Sequence, residues 1–120
     1  MKKCIYVVED NPGIREMIEF LLTEELYEVK ACRNTSDFWT QMKDHTPDMV
    51  ILDIMLPDGN GIDICRQLKM DIKTHAIPVM MMSANNHLNS VKAKCTAEDF
   101  INKPFDLNDF ASRVEKYLPN

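Results

Sequence analysis

The chain lacks the sequence features by which exported proteins, membrane-spanning proteins and proteins held together by disulfides or zinc are recognised. After Met1-Lys2-Lys3 only five apolar residues precede Glu9, too short a run for a signal peptide or a spanning helix. There is no repeat, no low-complexity segment and no CxxC pair. The spacing of the four cysteines therefore favours reduced thiols in a cytoplasmic protein over a disulfide framework or a zinc site. They are Cys4, Cys32, Cys65 and Cys95.

Positively charged residues are fewer than negatively charged ones. Lys and Arg number 14 against 19 Asp and Glu, which gives a net charge of −5. Such a balance argues against non-specific attraction to DNA or to anionic membranes, so we expect neither nucleic acid nor membrane as a direct partner. At 120 residues the chain has the length of one domain, and we predict a single domain over residues 1–120.

Apolar runs alternate with amphipathic helical patterns along the whole chain. This alternation predicts an α/β fold, in which one doubly wound, five-stranded parallel sheet is covered by helices on both faces. Pro57 through Gly61 is predicted to be a loop, and the fourth helix has only a thin apolar stripe. The predicted strands are Cys4–Val8, Tyr27–Cys32, Met49–Leu52, Ile77–Met82 and Phe100–Ile101. The predicted helix caps are Asn11, Thr35 or Ser36, and Asp106.

Polar residues stand where the apolar runs stop: the pair Glu9-Asp10, then Asp53, Ser83 and Lys103. Ligands of open α/β sheets bind beyond the carboxyl ends of the strands, so these side chains are predicted to meet at one edge. Three crowded carboxylates repel one another and call for a divalent cation, for which Mg²⁺ or Mn²⁺ is suited. An Asp carboxylate can attack phosphorus, and a lysine and a hydroxyl can hold phosphoryl oxygens. The combination predicts a site for one phosphoryl group.

Each of these residues also has a simpler interpretation when it is taken alone. An Asp after a strand is usually a loop or cap residue, and an adjacent acid pair such as Glu9-Asp10 is usually a solvated turn. Met80-Met81-Met82 could suggest copper, but consecutive strand residues point to opposite faces, which favours a buried strand. The joint placement of the five polar residues, rather than any single one, carries the prediction.

The chain resembles the receiver domains of two-component response regulators along essentially its whole length. The matching segments are Val7-Val8-Glu9-Asp10-Asn11, Asp53-Ile54-Met55-Leu56-Pro57-Asp58-Gly59-Asn60-Gly61, Met82-Ser83-Ala84 and Lys103-Pro104-Phe105. The resemblance implies the flavodoxin-like strand order 2-1-3-4-5 with five helices on two faces. It also implies an Mg²⁺-dependent phosphorelay in which a histidine kinase or a histidine phosphotransfer protein is the donor.

Roles for individual residues follow from the same resemblance. Asp53 is implied as the phosphoacceptor, and Glu9, Asp10, Asp53 and the Met55 backbone carbonyl as the metal ligands. Ser83, the Ala84 backbone and Lys103 are implied to contact the phosphoryl group. The Lys103-Pro104 bond is expected to be cis. Ser83 and Phe100 are implied as the switch pair, although Phe100 taken alone is more simply an ordinary core aromatic. The pair would change the surface formed by helix 4, strand 5 and helix 5, which could support a homodimer.

The sequence departs from the usual family pattern at three places. Phe100 replaces the more common tyrosine, so the ring has no hydroxyl to bond. Thr96 stands where a glycine usually ends helix 4, and the polar stretch Asn85–Ser90 precedes it, so we expect that helix to be reshaped or mobile. Met55, two residues after Asp53, is expected to slow access of the hydrolytic water.

Three classes of function stay open from the sequence. The leading one is a phosphorylation switch that catalyses only its own phosphorylation and dephosphorylation, with an unidentified downstream protein target. The second is a phosphorylation-independent interaction module of the same fold, against which the intact Asp10, Asp53 and Lys103 argue. The third is an aspartyl phosphatase acting on external substrates, ranked last because its second Asp is replaced by Met55. The natural-looking ends of the chain favour a stand-alone receiver over an excised domain.

Overall fold

The computed structural model describes residues 2–84 and 88–120 as a three-layer α/β sandwich. The strands of the main sheet are β1 (Cys4–Val8), β2 (Glu28–Cys32), β3 (Met49–Asp53), β4 (Val79–Ser83) and β5 (Asp99–Asn102). The helices are α1 (Pro12–Glu24), α2 (Thr35–Asp44), α3 (Gly61–Met70), α4 (Leu88–Lys92) and α5 (Leu107–Tyr117). All main-sheet strands are parallel in the order β2-β1-β3-β4-β5, so the predicted fold class and strand order are confirmed.

The sheet separates two apolar layers, because alternate strand residues point to opposite faces. Tyr6 and Leu52 pack with α2, α3 and α4 on one side, while Ile5 and Ile51 pack with α1 and α5 on the other. β1, β3 and β4 are buried along their whole lengths, as parallel strands covered on both faces must be. All four cysteines are buried, and desolvation raises the pKa of Cys32 to about 11.

The helix ends agree only in part with the sequence-based expectations. Asn11 caps α1 by accepting from the Ile14 amide, and Asp106 caps α5, both as predicted. The prediction of Thr35 or Ser36 for α2 is wrong, because Asn34 takes the extended cap conformation and accepts from the backbone amide of Asp37. In this way the residue before the predicted cap satisfies the free amide of the third helical residue.

Three further expectations are corrected by the structure. The Pro57–Gly61 loop contains part of a small antiparallel hairpin, Met55–Leu56 with Gly59–Asn60, and Gly61 already belongs to α3. Tyr27 precedes β2 rather than belonging to it. On that edge strand the alternation of Val29 and Ala31 with Lys30 and Cys32 predicts that Cys32 lies on the wetter face, but Cys32 is buried and Ala31 is exposed.

α4 has five residues and ends at Lys92, so Cys95 and Thr96 lie beyond it. The only non-glycine residue of the described chain with positive φ is Leu26, at 71°. Thr96 therefore does not adopt the left-handed helix end that glycine usually provides, in line with the expected reshaping. Within the polar stretch Asn85–Ser90, residues 85–87 lie outside the described residues, so the expectation of mobility there stays a prediction.

Candidate functional site

The carboxyl ends of β1, β3 and β4 open into a cleft of about 600 Å³. The strand register explains this convergence: Val8 pairs with Leu52, Asp53 with Met82, and Ser83 with Asn102. The polar residues that follow or end these strands are thereby carried to one edge of the sheet. The five polar residues predicted from the strand ends all line the cleft: Glu9, Asp10, Asp53, Ser83 and Lys103. Three residues that the resemblance implied also line it: Met55, Ala84 and Pro104.

Three carboxylates form the centre of this cleft. Oxygens of Glu9, Asp10 and Asp53 all lie within 4.8 Å of one another. Glu9 and Asp53 are buried, whereas Asp10 is exposed at the mouth. Three hard anionic oxygens so close together, with one side open to solvent, suit a hard divalent cation that keeps part of its water shell. The donor set therefore fits Mg²⁺ or Mn²⁺.

Lys103 supplies the positive charge that balances these acids in the protein alone. Its Nζ donates to Asp53 Oδ2 at 3.1 Å and makes a very short contact with Glu9 Oε1. Burial by itself would lower the pKa of Lys103, but the hydrogen bonds to the two carboxylates outweigh it and the pKa is raised. Burial raises the pKa of Glu9, although Lys103 and the Asn11 amide oppose the rise. The Lys103–Pro104 peptide bond is cis.

The connection from β3 to α3 is held by two backbone hydrogen bonds of Ile54, the residue after Asp53. The Ile54 amide donates to Met82 O at 3.1 Å, and the Gly61 amide donates to Ile54 O at 2.9 Å. A Cβ placed on Gly61 would lie 2.3 Å from Asp53 O, so only glycine fits there without moving the backbone. Met55 projects from this connection with 71% of its surface exposed, at the rim of the cleft.

Two residues that support the site were not singled out from the sequence. Asp58 accepts from the backbone amides of Thr35 at 2.8 Å and Ser36 at 3.1 Å, which docks the β3–α3 connection on the start of α2. Arg15 on α1 reaches back to the backbone carbonyls of the acid pair. Both are side-chain contacts between separate elements, and neither leaves a periodic signal in the sequence.

The predicted switch pair lies on neighbouring strands. Ser83 is buried at the end of β4, beside the exposed Ala84, and the backbone amide of Lys103 donates to Ser83 O at 2.7 Å. Phe100 is half-buried on β5, and the ring lies 5.7 Å from Lys92 Nζ at the end of α4. Arg113 of α5 donates to Phe100 O at 3.0 Å, so residues of α4 and α5 both touch Phe100.

With this geometry established, comparisons with known proteins decide the family. A family model described as the response regulator receiver domain matches residues 5–115. This chain belongs to that family. The receiver is 36% identical over 118 residues to the phosphate regulon transcriptional regulatory protein PhoB of Pseudomonas aeruginosa. It is 33% identical over 120 residues to the DNA-binding response regulator MtrA of Mycolicibacterium smegmatis.

These alignments cover 97% and 98% of the receiver but only 52% of PhoB and 51% of MtrA. The chain therefore spans about half the length of the curated relatives that it matches. None of the helices in the described part of the chain combines the length and apolarity needed to cross a bilayer.

Solved structures agree with the fold. The signal receiver domain of a signal transduction histidine kinase from Syntrophus aciditrophicus superposes with a TM-score of 0.90 at 30% identity, covering 97% of this chain and 89% of that one. TrrA of Thermotoga maritima, crystallised in complex with Mg²⁺-BeF, gives a TM-score of 0.85 at 28% identity, with 97% and 99% covered. The solved structures and the family model thus agree that this chain has the fold of a response regulator receiver domain.

Proposed function

We propose that the receiver accepts a phosphoryl group on Asp53 from a phosphohistidine, carried by a histidine kinase or by a histidine phosphotransfer protein. The observation that carries this proposal is the grouping of Glu9, Asp10 and Asp53 oxygens within 4.8 Å, with Lys103 Nζ 3.1 Å from Asp53. A buried acid beside a lysine at the floor of an open cleft is placed to meet an incoming phosphoryl group.

The transfer is written as one displacement at phosphorus. An Asp53 carboxylate oxygen forms the new bond to phosphorus while the bond from phosphorus to the imidazole nitrogen breaks, and that nitrogen keeps the electron pair. Lys103 holds one phosphoryl oxygen as a point charge, and the Ser83 hydroxyl and the Ala84 backbone amide donate to others. These groups position the phosphoryl group and offset charge, which is most of what phosphoryl transfer requires.

Glu9, Asp10, Asp53 and the Met55 backbone carbonyl are the groups that would hold Mg²⁺ or Mn²⁺. When bound, the cation offsets negative charge on the phosphoryl oxygens. Support for this assignment comes from the hard oxygen donor set and from the likeness to TrrA, whose crystals contain Mg²⁺-BeF. Met55, exposed at the rim, would limit access of water to the aspartyl phosphate and lengthen its lifetime.

Phosphorylation would draw the Ser83 hydroxyl towards the phosphoryl group and leave room for the Phe100 ring to turn inward. The surface formed by α4, β5 and α5 would then change, because Lys92 and Arg113 both contact Phe100. A downstream protein, or a second copy of the receiver, would bind this surface. Signalling of this kind takes place in the cytoplasm.

Residues 1–120 themselves are proposed to make no direct contact with nucleic acid, on the strength of the net charge of −5. PhoB and MtrA are named as transcriptional or DNA-binding regulators, and each is about twice as long as this chain. DNA binding by a longer protein containing this receiver is compatible with the proposal. The only reactions assigned to the receiver are phosphorylation and dephosphorylation of Asp53.

The test is incubation with acetyl phosphate or phosphoramidate and Mg²⁺, followed by intact mass measurement. One phosphate per chain is expected for the natural sequence, and none for Asp53→Asn or in excess EDTA. Failure to gain a phosphate would favour the phosphorylation-independent interaction module. Rapid turnover of small phosphate esters would instead favour a phosphatase acting on external substrates.

A further inference from the structure

Arg15 makes two hydrogen bonds to the connection that carries the acid pair. Its Nη1 donates to Glu9 O at 2.9 Å and to Asp10 O at 3.2 Å. Arg15 is half-buried on the first turns of α1, and its side chain runs back along the helix to reach these carbonyls. One guanidinium nitrogen therefore bonds to the backbone carbonyls of both Glu9 and Asp10, the residues whose carboxylates line the cleft.

The rest of this short connection is fixed by its neighbours. The Glu9 amide donates to Cys32 O at 3.0 Å, and the Asn11 amide donates to Glu9 Oε2 at 3.1 Å. Asn11 in turn caps α1. Arg15 adds the two backbone carbonyls of the connection to this set. The carbonyls bond to α1 while the carboxylates of Glu9 and Asp10 line the cleft, so the guanidinium helps to set which way each peptide group faces.

Arg15 does not line the cleft as far as the described residues define it, whereas Asn11 and Ile14 of the same segment do. The guanidinium thus contacts the site through the backbone of its acids. A direct role for Arg15 in binding a phosphoryl group has no support in this geometry. Both hydrogen bonds instead support a role for Arg15 in holding the carboxylates of Glu9 and Asp10 at the spacing that a cation requires.

We infer that Arg15 is a positioning residue of the metal site, which orders the Glu9-Asp10 backbone so that its carboxylates are set for a divalent cation. This inference rests on the proposed Mg²⁺ site. Residues that support metal ligands typically change metal affinity 10- to 100-fold when they are replaced, so the expected effect is measurable.

A role through charge and a role through geometry predict opposite changes in Mg²⁺ affinity when Arg15 is replaced. The guanidinium is a cation near a cation site, so if it acted only through its charge, replacing Arg15 with a neutral residue would tighten Mg²⁺ binding. If it acts by ordering the acid pair, the same replacement weakens binding. The sign of the change in the dissociation constant therefore separates the two roles.

The experiment is calorimetric titration of the unphosphorylated receiver with Mg²⁺ at fixed ionic strength, for the natural sequence, Arg15→Met, Arg15→Lys and Arg33→Met. Arg33 is the matched control, because its side chain is 69% exposed, pairs with Asp37 and is not among the residues that line the cleft. Arg15→Met is expected to bind Mg²⁺ about tenfold more weakly. Arg15→Lys keeps the charge but has a shorter reach and no planar fork, so it is expected to lie between Arg15→Met and the natural protein. Arg33→Met is expected to stay within about twofold of the natural protein because surface charges are screened.

Unchanged or tighter binding in Arg15→Met would overturn the inference. If Arg15→Met does not fold, as judged by circular dichroism, Arg15→Lys decides alone, and affinity equal to that of the natural protein would overturn the inference. Asp10→Asn, which removes a proposed ligand, distinguishes failure of the inference from failure of the proposed function. If the natural protein itself bound no Mg²⁺, or if Asp10→Asn bound it equally well, the metal site and not the role of Arg15 would be at fault.

Discussion

The connections after β1 and β3, which carry the acids, are held by different kinds of contact from those around Phe100. In the connections, backbone amides and carbonyls are bonded at short range, as at Ile54 and Gly61, and charged side chains such as Arg15 and Asp58 add to them. Around Phe100 the described contacts to α4 and α5 come from long side chains, Lys92 and Arg113.

This difference matches the two tasks that the proposed function assigns to the two regions. Groups that position a phosphoryl group must already be ordered before it arrives, because ordering them later would reduce the rate. A surface that reports phosphorylation must instead have two arrangements whose free energies differ by no more than a few kcal/mol. Side-chain contacts near the protein surface, each contributing about 1 kcal/mol or less, permit that balance.

The largest expected effect comes from a substitution at Gly61, whose amide bonds to Ile54 in the connection after β3. In Gly61→Ala the new Cβ would meet Asp53 O at 2.3 Å, so the start of α3 or the Asp53 backbone must shift. Overpacking of this kind destabilises by about 1–3 kcal/mol. We expect a loss at the upper end of that range in urea unfolding, together with slower phosphorylation by acetyl phosphate.

Gly13→Ala is the matched control for that substitution. Its Cβ would lie 3.3 Å from the side-chain oxygen of Asn11 and far from Asp53 backbone atoms, within α1. Gly13 is the second residue of α1, where alanine gains less over glycine than the roughly 0.5–1 kcal/mol of a helix interior. Stability within about 1 kcal/mol of the natural protein and an unchanged phosphorylation rate are expected. Equal losses in the two variants would show that the close approach to Asp53 is unimportant.

We expect an effect of intermediate size from Glu9, whose ionisation makes the free energy of unfolding depend on pH. Because its pKa is raised in the folded protein, the folded state binds more protons than the unfolded state between the two values. Stability from this group is therefore fully present below the unfolded pKa of Glu and is lost as the pH rises through the folded pKa. Glu9→Gln cannot lose a proton there, so its stability relative to the natural protein should rise over that window.

This comparison is made by urea unfolding at a series of pH values in EDTA, so that no bound cation contributes. Burial is the main cause of the raised pKa, and the neighbouring Asp53 adds to it. A difference between Glu9→Gln and the natural protein that stays flat, or that falls with rising pH, would contradict the assigned direction of the shift.

The smallest expected effect concerns the contact between Lys92 and Phe100. A cation over an aromatic face at an exposed site contributes about 0.5–1 kcal/mol. If the contact favours the unphosphorylated arrangement, Lys92→Met should shift the population about two- to fivefold towards the alternative and raise the initial phosphorylation rate by a similar factor. A double-mutant cycle with Phe100→Leu should recover the coupling between the two side chains.

Lys116→Met is the control, since Lys116 Nζ lies 5.2 Å from the Tyr117 ring on α5 and does not touch Phe100. It should change stability by a similar small amount and leave the phosphorylation rate unaltered. A rate that rises equally in both variants would mean that the contact to Phe100 has no special part in the switch.

The positions of Asp53, Ser83 and Lys103 could be predicted because each closes a short apolar run, and buried parallel strands end at a common edge. The register of the sheet then fixes their neighbours. Helix caps could be predicted where one polar residue precedes the apolar pattern, as at Asn11. Where Asn34, Thr35 and Ser36 stood together, the pattern could not say which residue leaves the helix first.

The supporting contacts could not be predicted for a different physical reason. Arg15 and Asp58 act across turns and between separate elements, and their partners are backbone groups, which are the same in every sequence. Close approach at Gly61 depends on the angle at which α3 leaves the sheet. The buried Cys32 and exposed Ala31 depend on how an edge strand twists, which alternation alone does not determine.

The strand order has a consequence for how the charges of the site are balanced. β1 and β3, which carry the three acids, are neighbours in the sheet, whereas Lys103 follows β5, two strands away from β3. The acids and their counter-charge therefore come from strands that are not neighbours, and the packing of β4 and β5 brings Lys103 Nζ within 3.1 Å of Asp53.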